Sequence, residues 1–333
     1  MKKIMFSLVA VAAMASCTQS DVIGLSPDEN VEIRVSAGIT SAVSSSTRAV
    51  VDGMINKDFA TDLDVAFVRA DQGDNNDAYA TTYGADVLEG TVAHTDETLS
   101  FSPAQYCLAN GKNTKLIGWY PRRAGVSYTQ ATRVVDFGVI DGETDLMATT
   151  LYEGSKGTKI QSIEFNHLLT QFSIKVYAPD TDAQGLWGTV RSITIIGKKQ
   201  KCTITLPEAT ASAGVAVAPT FEGTADLDLI KADPATPTTP ITYPLTLGVG
   251  QTAADAVLAG YAMFAPQAAN GEVKLQIETE KGGLQKPKVA IPAGGFLPGH
   301  AYAITLKFTS AGINPTVSVV NWVDGTPIGD IEI

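Results

Sequence analysis

The sequence predicts an all-β fold with little helix, arranged as two tandem antiparallel β-sandwich domains. Its 333 residues are enough for two domains of ordinary size. Short runs rich in Val, Ile and Thr alternate apolar and polar residues, which is the period of a half-buried strand. The 30 Gly and 16 Pro residues fall between these runs, where they punctuate turns. An apolar fraction of 44% with 18% charged residues excludes a disordered chain.

Residues 1–16 have the pattern of a secretory signal peptide. Lys2 and Lys3 precede an apolar stretch, residues 4–14, that is too short for a stable membrane anchor. Two small residues then lead to Cys17, and a signal that ends this way resembles the bacterial lipobox, in which the Cys is acylated. The alternatives are an ordinary secretory signal with a chance Cys, or an uncleaved anchor. The sequence therefore predicts a lipoprotein tethered through Cys17.

A polar segment without periodicity, residues 17–30, follows as a linker, and the first domain is predicted over residues 31–158. Its first strand is marked by five alternating apolar residues. They are Val31, Ile33, Val35, Ala37 and Ile39. A serine-rich break separates this strand from the rest of the domain. The strand is therefore held in a sheet by one apolar face, while a flexible segment follows it.

The second sandwich is predicted over residues 159–333, where seven candidate strands are separated by Gly and Pro turns. A segment with four prolines, residues 233–244, is predicted to be a loop or an extended insert, because Pro cannot donate to a central ladder. Cys107 and Cys202 are nearly a hundred residues apart and do not predict a disulfide. Stability must then come from apolar cores.

Charge and motif content exclude several function classes. The chain has 24 basic and 35 acidic side chains and no basic cluster beyond residues 198–201, which argues against nucleic acid. His94, His167 and His300 are far apart and lack metal-ligand spacing, and His167 is expected to be a packed structural residue. No nucleophile or dinucleotide motif stands in its required context. We therefore expect no enzyme activity, no cofactor and no metal.

Several short segments, in this order and spacing, resemble the fimbrillin (FimA/Mfa-like) family of Gram-negative anaerobes. They follow the lipobox and cover nearly the whole chain. They are STRA at residues 46–49, DLMAT at 145–149, FNHLLTQFSIKV at 165–176, MFAPQ at 263–267, LPGHAYAITLKF at 297–308 and VVNW at 319–322.

The resemblance implies two tandem transthyretin-like sandwiches in a structural pilus subunit. Such subunits reach the outer membrane as lipoproteins, are cut after an Arg by a trypsin-like protease, and polymerise with other pilin subunits by donor-strand exchange. The matching cut lies between Arg48 and Ala49, and it would make residues 31–43 a removable first strand. The candidate donor strand contains Val317, Val319, Ile331 and Ile333. Those residues are alternatively the last strand of the second domain.

A different class of function stays open at this point. The chain is alternatively a surface lipoprotein that binds a glycan or a host ligand and never polymerises. Exposed aromatic side chains would then form its binding platform, with Tyr79, Tyr83, Trp119 and Trp187 as candidates. Most aromatic side chains of β-sandwiches belong to the core, so none of the four stands out as a binding residue. Treatment of the precursor with a trypsin-like protease separates the two hypotheses, because only a pilin should form a ladder of multimers that begin at Ala49.

Overall fold

The structure, a computed structural model, describes residues 31–40, 61–74, 77–233, 236–320 and 327–330. The predicted signal peptide, Cys17, the linker, Arg48 with Ala49, and Ile331 with Ile333 lie outside these ranges. The described residues contain strands and one short α-helix, α1 (Thr181–Trp187), so the predicted all-β class is confirmed. No helix in this part of the chain is both long and apolar enough to cross a bilayer.

Eleven described strands precede α1, and ten of them come before the strand that leads into it. They are β1 (Val35–Thr40), β2 (Leu63–Asp71), β3 (Leu88–Val92), β4 (Thr98–Ser102), β5 (Thr114–Tyr120), β6 (Ser127–Thr129), β7 (Val134–Val139), β8 (Met147–Thr149), β9 (Tyr152–Gly154) and β10 (Ser162–His167). The next strand, β11 (Thr170–Ala178), leads directly into the helix.

Twelve more strands follow it. They are β12 (Val190–Thr205), β13 (Ala218–Asp228), β14 (Ala232–Asp233), β15 (Thr236–Pro240), β16 (Gly248–Val249), β17 (Val257–Phe264), β18 (Glu272–Thr279), β19 (Gly283–Gln285), β20 (Lys288–Ala290), β21 (Ala301–Thr309), β22 (Gly312–Val320) and β23 (Pro327–Asp330). The proline-rich segment forms the small pair β14–β15 apart from the large sheets, as an extended insert does.

The first sheet closes on itself. Its strands run in the order β2-β3-β4-β1-β10-β8-β5, and β5 pairs back with β2, while β9 continues along β5. A closed ring leaves no open edge, which is how all-β proteins avoid edge pairing with other chains. Among the described strands, β1 alone joins β4 to β10.

The second half packs two sheets face to face. One sheet runs β16-β11-β21-β22-β23 with β17 beside β11, and the other runs β19-β18-β12-β7-β6 with β13 and β20 alongside. Alternate residues of the central strands fill the core between them, as period two requires. They include Phe172, Ile174, Ile193, Ile195, Leu275, Ile277, Ile304 and Leu306.

A third core joins the ring to the second sandwich. Val68 of β2 and Trp119 of β5 point away from the ring interior and pack in the same cluster as Phe137 of β7 and Ile204 of β12. Strands β2 and β5 are thus buried on both faces, which explains their nearly continuous apolar runs. Strand β10 pairs within the ring, whereas β11 pairs with β21 of the second sandwich. The domain boundary between residues 158 and 159 stays a prediction.

Candidate functional site

The candidate site is the slot between β4 and β10, together with the segment that fills it. We call residues 31–40 the ribbon. On one side β1 is antiparallel to β4, with Val35 opposite Leu99, and on the other it is parallel to β10 from Ser36 to Thr40. Both edges of β1 are therefore used, and the ribbon is an interior strand of the ring.

The first half of the ribbon is held on one side only. The Ile33 amide donates to the Gln105 carbonyl at 2.7 Å, and the Cys107 amide donates to the Val31 carbonyl at 2.8 Å. The opposite wall, β10, begins only at Ser162, which pairs with Ser36. A surface pocket opens beside residues 32–35, and Lys159 and Ile160 also line it.

The ribbon buries the apolar face that the sequence pattern predicts. Ile33, Val35 and Ile39 are 8%, 4% and 6% exposed, and Ala37 is fully buried, while Val31 is only partly buried at the start of the ribbon. Each buried large aliphatic side chain contributes about 1.5–3 kcal/mol relative to exposure. Apolar burial and pairing on both edges thus hold the ribbon in place.

The walls of the slot are aromatic and aliphatic. Phe165 of β10 lies in register with Ile39, and Phe101 follows Leu99 on the same face of β4. The Phe67 ring contacts both, with centroids 5.4 Å from Phe101 and 5.9 Å from Phe165 in edge-to-face geometry. These three rings span the floor beneath the ribbon, and single-strand patterns gave no indication that they would meet.

Arg69 of β2 fixes the wall that faces the first half of the ribbon. Its guanidinium donates to the Tyr106 carbonyl at 2.9 Å and to the Asp71 carboxylate at 2.8 Å, and Thr114 donates to that same carboxylate. The arginine side chain is 17% exposed. The segment around residue 105 is therefore positioned by β2 and β5, independently of the ribbon.

Replacing Arg69 with Met is expected to loosen this wall. The variant loses charge-assisted hydrogen bonds, each worth about 1.5–3 kcal/mol when partly buried. Amide hydrogen exchange should speed up at Ile33 and Cys107 and stay unchanged at Phe165. Arg34→Met is the matched control, because Arg34 pairs with Glu32 at the exposed surface and such pairs contribute little. Equal exchange rates in both variants would contradict the role given to Arg69.

The candidate donor residues that are described lie in the second sandwich. Val317 is buried and Val319 is partly buried in β22, which pairs along its whole length with β21. Beyond it, β23 pairs with Ser318, Val319 and Val320 at the end of the sheet. The described part of the donor segment is thus the final portion of the second domain, and its role as a donor stays a prediction.

Two of the motifs quoted from the sequence meet at the ring. His167 ends β10 and pairs with Met147 of β8, and its Nδ1 lies 2.7 Å from Oδ2 of Asp145 with both side chains buried. His167 is therefore packed and hydrogen-bonded, as expected. The pair ties β8 to the strand that forms one wall of the slot.

Three of the four aromatic side chains proposed for the alternative binding platform are internal. Tyr83, Trp119 and Trp187 are 1%, 2% and 7% exposed because they pack in the cores, and the Tyr79 hydroxyl donates to Glu153. Three of the four candidate rings are therefore core residues, as is usual in β-sandwiches, and are not available for a binding platform. The described residues also contain no cluster of three or more His, Cys, Asp or Glu side chains that could hold a metal ion.

Solved structures resemble this chain at low sequence identity, and the first two that follow share its fold. A candidate cell adhesion protein from Bacteroides uniformis is 18% identical, with 88% of this chain and 99% of that chain covered and a TM-score of 0.56. A second one, from Bacteroides ovatus, is 15% identical over 88% and 98% of the two chains, with a TM-score of 0.51. The tip fimbrial protein Mfa3 from Porphyromonas gingivalis is 11% identical over 88% and 100%, with a TM-score of 0.43.

At the sequence level, no curated protein matches the chain. The sequence profile of the fimbrillin-like family does match, over residues 47–322. That range is most of the chain and confirms the resemblance drawn from the short motifs. This protein therefore belongs to the fimbrillin-like family, which consists of fimbrial and adhesin-type structural proteins of the cell surface.

Proposed function

We propose that this protein is a structural fimbrial subunit that is exported as a lipoprotein and polymerised by protease-triggered donor-strand exchange. The observation that carries the proposal is the ribbon, a terminal strand that completes a closed ring. Without it, β4 and β10 would each present an unpaired edge, and the floor formed by Phe67, Phe101 and Phe165 would face water. A strand from another subunit would pair with both edges and cover the three rings.

One cut after Arg48 would release the ribbon and the anchor together. Cys17, the proposed lipidated residue, precedes the ribbon, and Arg48 follows it by eight residues beyond Thr40. A trypsin-like protease at the outer membrane would therefore turn a tethered precursor into a free subunit whose ribbon is held only by noncovalent contacts. The family profile begins at residue 47, next to this bond, which supports a mature chain that starts at Ala49.

The segment after β22 is the proposed donor. Val317 and Val319 anchor its root in the second sandwich, and β23 with Ile331 and Ile333 forms its far part. Because β23 lies at the end of its sheet and pairs on one side with only three residues, its release disrupts little of the sandwich. Polymerisation would then need other copies or related pilin subunits as partners, and no cofactor or catalytic residue.

Replacing Arg48 with Gln is expected to abolish polymerisation. Unlipidated precursor, residues 18–333, is treated with trypsin and run unheated on a denaturing gel. The unsubstituted protein should give a ladder of multimers whose subunits begin at Ala49, while Arg48→Gln should stay monomeric because the ribbon remains covalently attached. Arg34→Gln is the matched control and should form the ladder. A processed chain that begins at Ala49 but remains monomeric would favour a non-polymerising binding protein.

A further inference from the structure

The ribbon has one small residue on its buried face. Ala37 is fully buried between Val35 and Ile39 on the same face, where the other inward side chains are large. Its amide donates to the Glu97 carbonyl at 2.6 Å on one side, and Ile163 lies in register with it on the other. The backbone at this point is thus held closely between two walls.

The space below Ala37 is already filled. Leu99 and Ile163 are fully buried beside it, and Phe165 follows Ile163 on the same face of β10. The Phe67 ring cannot move away from Ala37, because it already packs against the backbone of Gly118. A Cβ added at Gly118 would lie only 2.5 Å from this ring. A larger side chain at this position would overpack the ring interior. The middle of the slot therefore accepts only a small residue.

The other end of the slot, its roomy end, opens into a surface pocket. Ile33 and Val35 line this pocket together with Lys159 and Ile160. From Ile33 to Ile39, the inward side chains of the ribbon are two large ones, one small one and one large one. A strand that replaces the ribbon should follow the same order of sizes. A strand displaced by two residues would put a large side chain in the tight position and leave the roomy end underfilled.

The segment after β22 can be aligned with the ribbon in one way that places large apolar residues at the roomy end and a small residue in the tight position. Ile333 and Ile331 are followed, in reverse chain order, by Gly329 and Pro327. We infer that Gly329 of a second copy takes the place of Ala37, with Ile331 in place of Val35 and Ile333 in place of Ile33. The inserted strand then runs opposite to β1, antiparallel to β10 and parallel to β4. This inference rests on the donor-strand function proposed above.

Charge supports the same alignment. Its intervening residues, Asp330 and Glu332, take the outward positions of Ser36 and Arg34, both of which are exposed in the ribbon. Glu332 would replace Arg34 in the pocket that Lys159 also lines, so that opposite charges meet once the ribbon has left. Pro327 falls at the end of the ladder, where its missing N–H group is tolerated.

In the competing alignment, the inserted strand runs in the same direction as β1. It places Val317, Val319 and Val323 at the large positions but puts Asn321 in place of Ala37. That would enclose a polar amide in an apolar site without a designed partner. It would also take Val317 out of the core of its own sandwich, where it is buried.

Disulfide trapping distinguishes the two alignments. In a Cys107→Ser background, the chain carries Lys159→Cys with either Glu332→Cys or Ser318→Cys, and each protein is processed with trypsin and then oxidised. We expect Glu332→Cys to crosslink neighbouring subunits at least tenfold more than Ser318→Cys, and the unprocessed Arg48→Gln versions not to crosslink. Multimers that crosslink through residue 318 would overturn this inference and leave the proposed function standing. Failure of the unsubstituted chain to form multimers would contradict both this inference and the proposed function.

A size series tests the tight position independently. Gly329→Ala should retain the multimer ladder, and Gly329→Leu should reduce it at least tenfold. Gly325→Leu is the matched control, because Gly325 lies outside the slot in the inferred alignment and should leave the ladder unchanged. Thermal unfolding of each precursor shows that the body is intact. An undiminished ladder with Gly329→Leu, or an equal loss with Gly325→Leu, would overturn the inference.

Discussion

Removal of residues 31–40 is expected to destabilise the ring by on the order of 5–9 kcal/mol, from the burial of Ile33, Val35 and Ile39 alone. Loss of the ladders with β4 and β10 adds to this. Whole domains are stable by about 5–15 kcal/mol, so the ring should be close to unfolding. The second sandwich, whose core lies between its own two sheets, should be less affected.

Amide hydrogen exchange of a chain that begins at Ala49 measures this effect. We expect protection to fall at Leu99 and Phe165, which line the slot, and to persist at Ile304, which lies in the second core. Adding a peptide with the sequence of residues 31–43 should restore protection at the slot. Protection at Leu99 and Phe165 that equals that of the full precursor would show that the ribbon does not hold the ring closed.

The matched control is the same peptide with aspartate in place of Val35 and Ile39. Each carboxylate would have to enter the apolar interior, where an unpaired charge costs several kcal/mol. This peptide should therefore leave the slot unprotected although its length and backbone are the same. Rescue by both peptides would mean that backbone pairing, rather than the buried face, provides the affinity.

Replacement of His167 by Leu is expected to lower the free energy of unfolding by about 3–5 kcal/mol, because it removes one partner of a buried pair and leaves the other in the core. Asp145 is fully buried and lies 2.7 Å from the imidazole, so its carboxylate loses a donor that water cannot replace. Denaturant unfolding measures the change. The wall formed by β10 should also loosen, since His167 is its last residue.

The chain provides a control with the same chemistry in water. His94 contacts Asp62 at 2.6 Å, but both side chains are about half exposed. Hydrogen bonds from the His94 backbone amide and ring hold the pKa of Asp62 below its usual value. His94→Leu should nevertheless change stability little, because exposed pairs contribute little. Similar losses in both variants would show that burial does not determine the cost.

Alternation and composition were sufficient to predict the class of fold and the buried face of the ribbon. Ile33, Val35, Ala37 and Ile39 are inward because successive side chains of a strand point to opposite faces, which is a local property of the backbone. The apolar runs of β2 and β5 signalled strands, but not that both of their faces are covered. Alternation with period two indicates that one face of a strand is buried. Whether the other face is also buried depends on which sheet packs against it.

Composition and alternation establish that the chain is all-β, acidic and without a recognisable catalytic motif, and that its first strand has one apolar face. The folded arrangement of the strands shows, beyond this, that the first strand closes a ring, that Phe67 contacts Phe101 and Phe165 beneath it, and that Arg69 holds the facing wall. The difference has a physical cause. Alternation is set by neighbours along the chain, whereas ring closure and the tight position at Ala37 arise from strands more than sixty residues apart that come together only on folding.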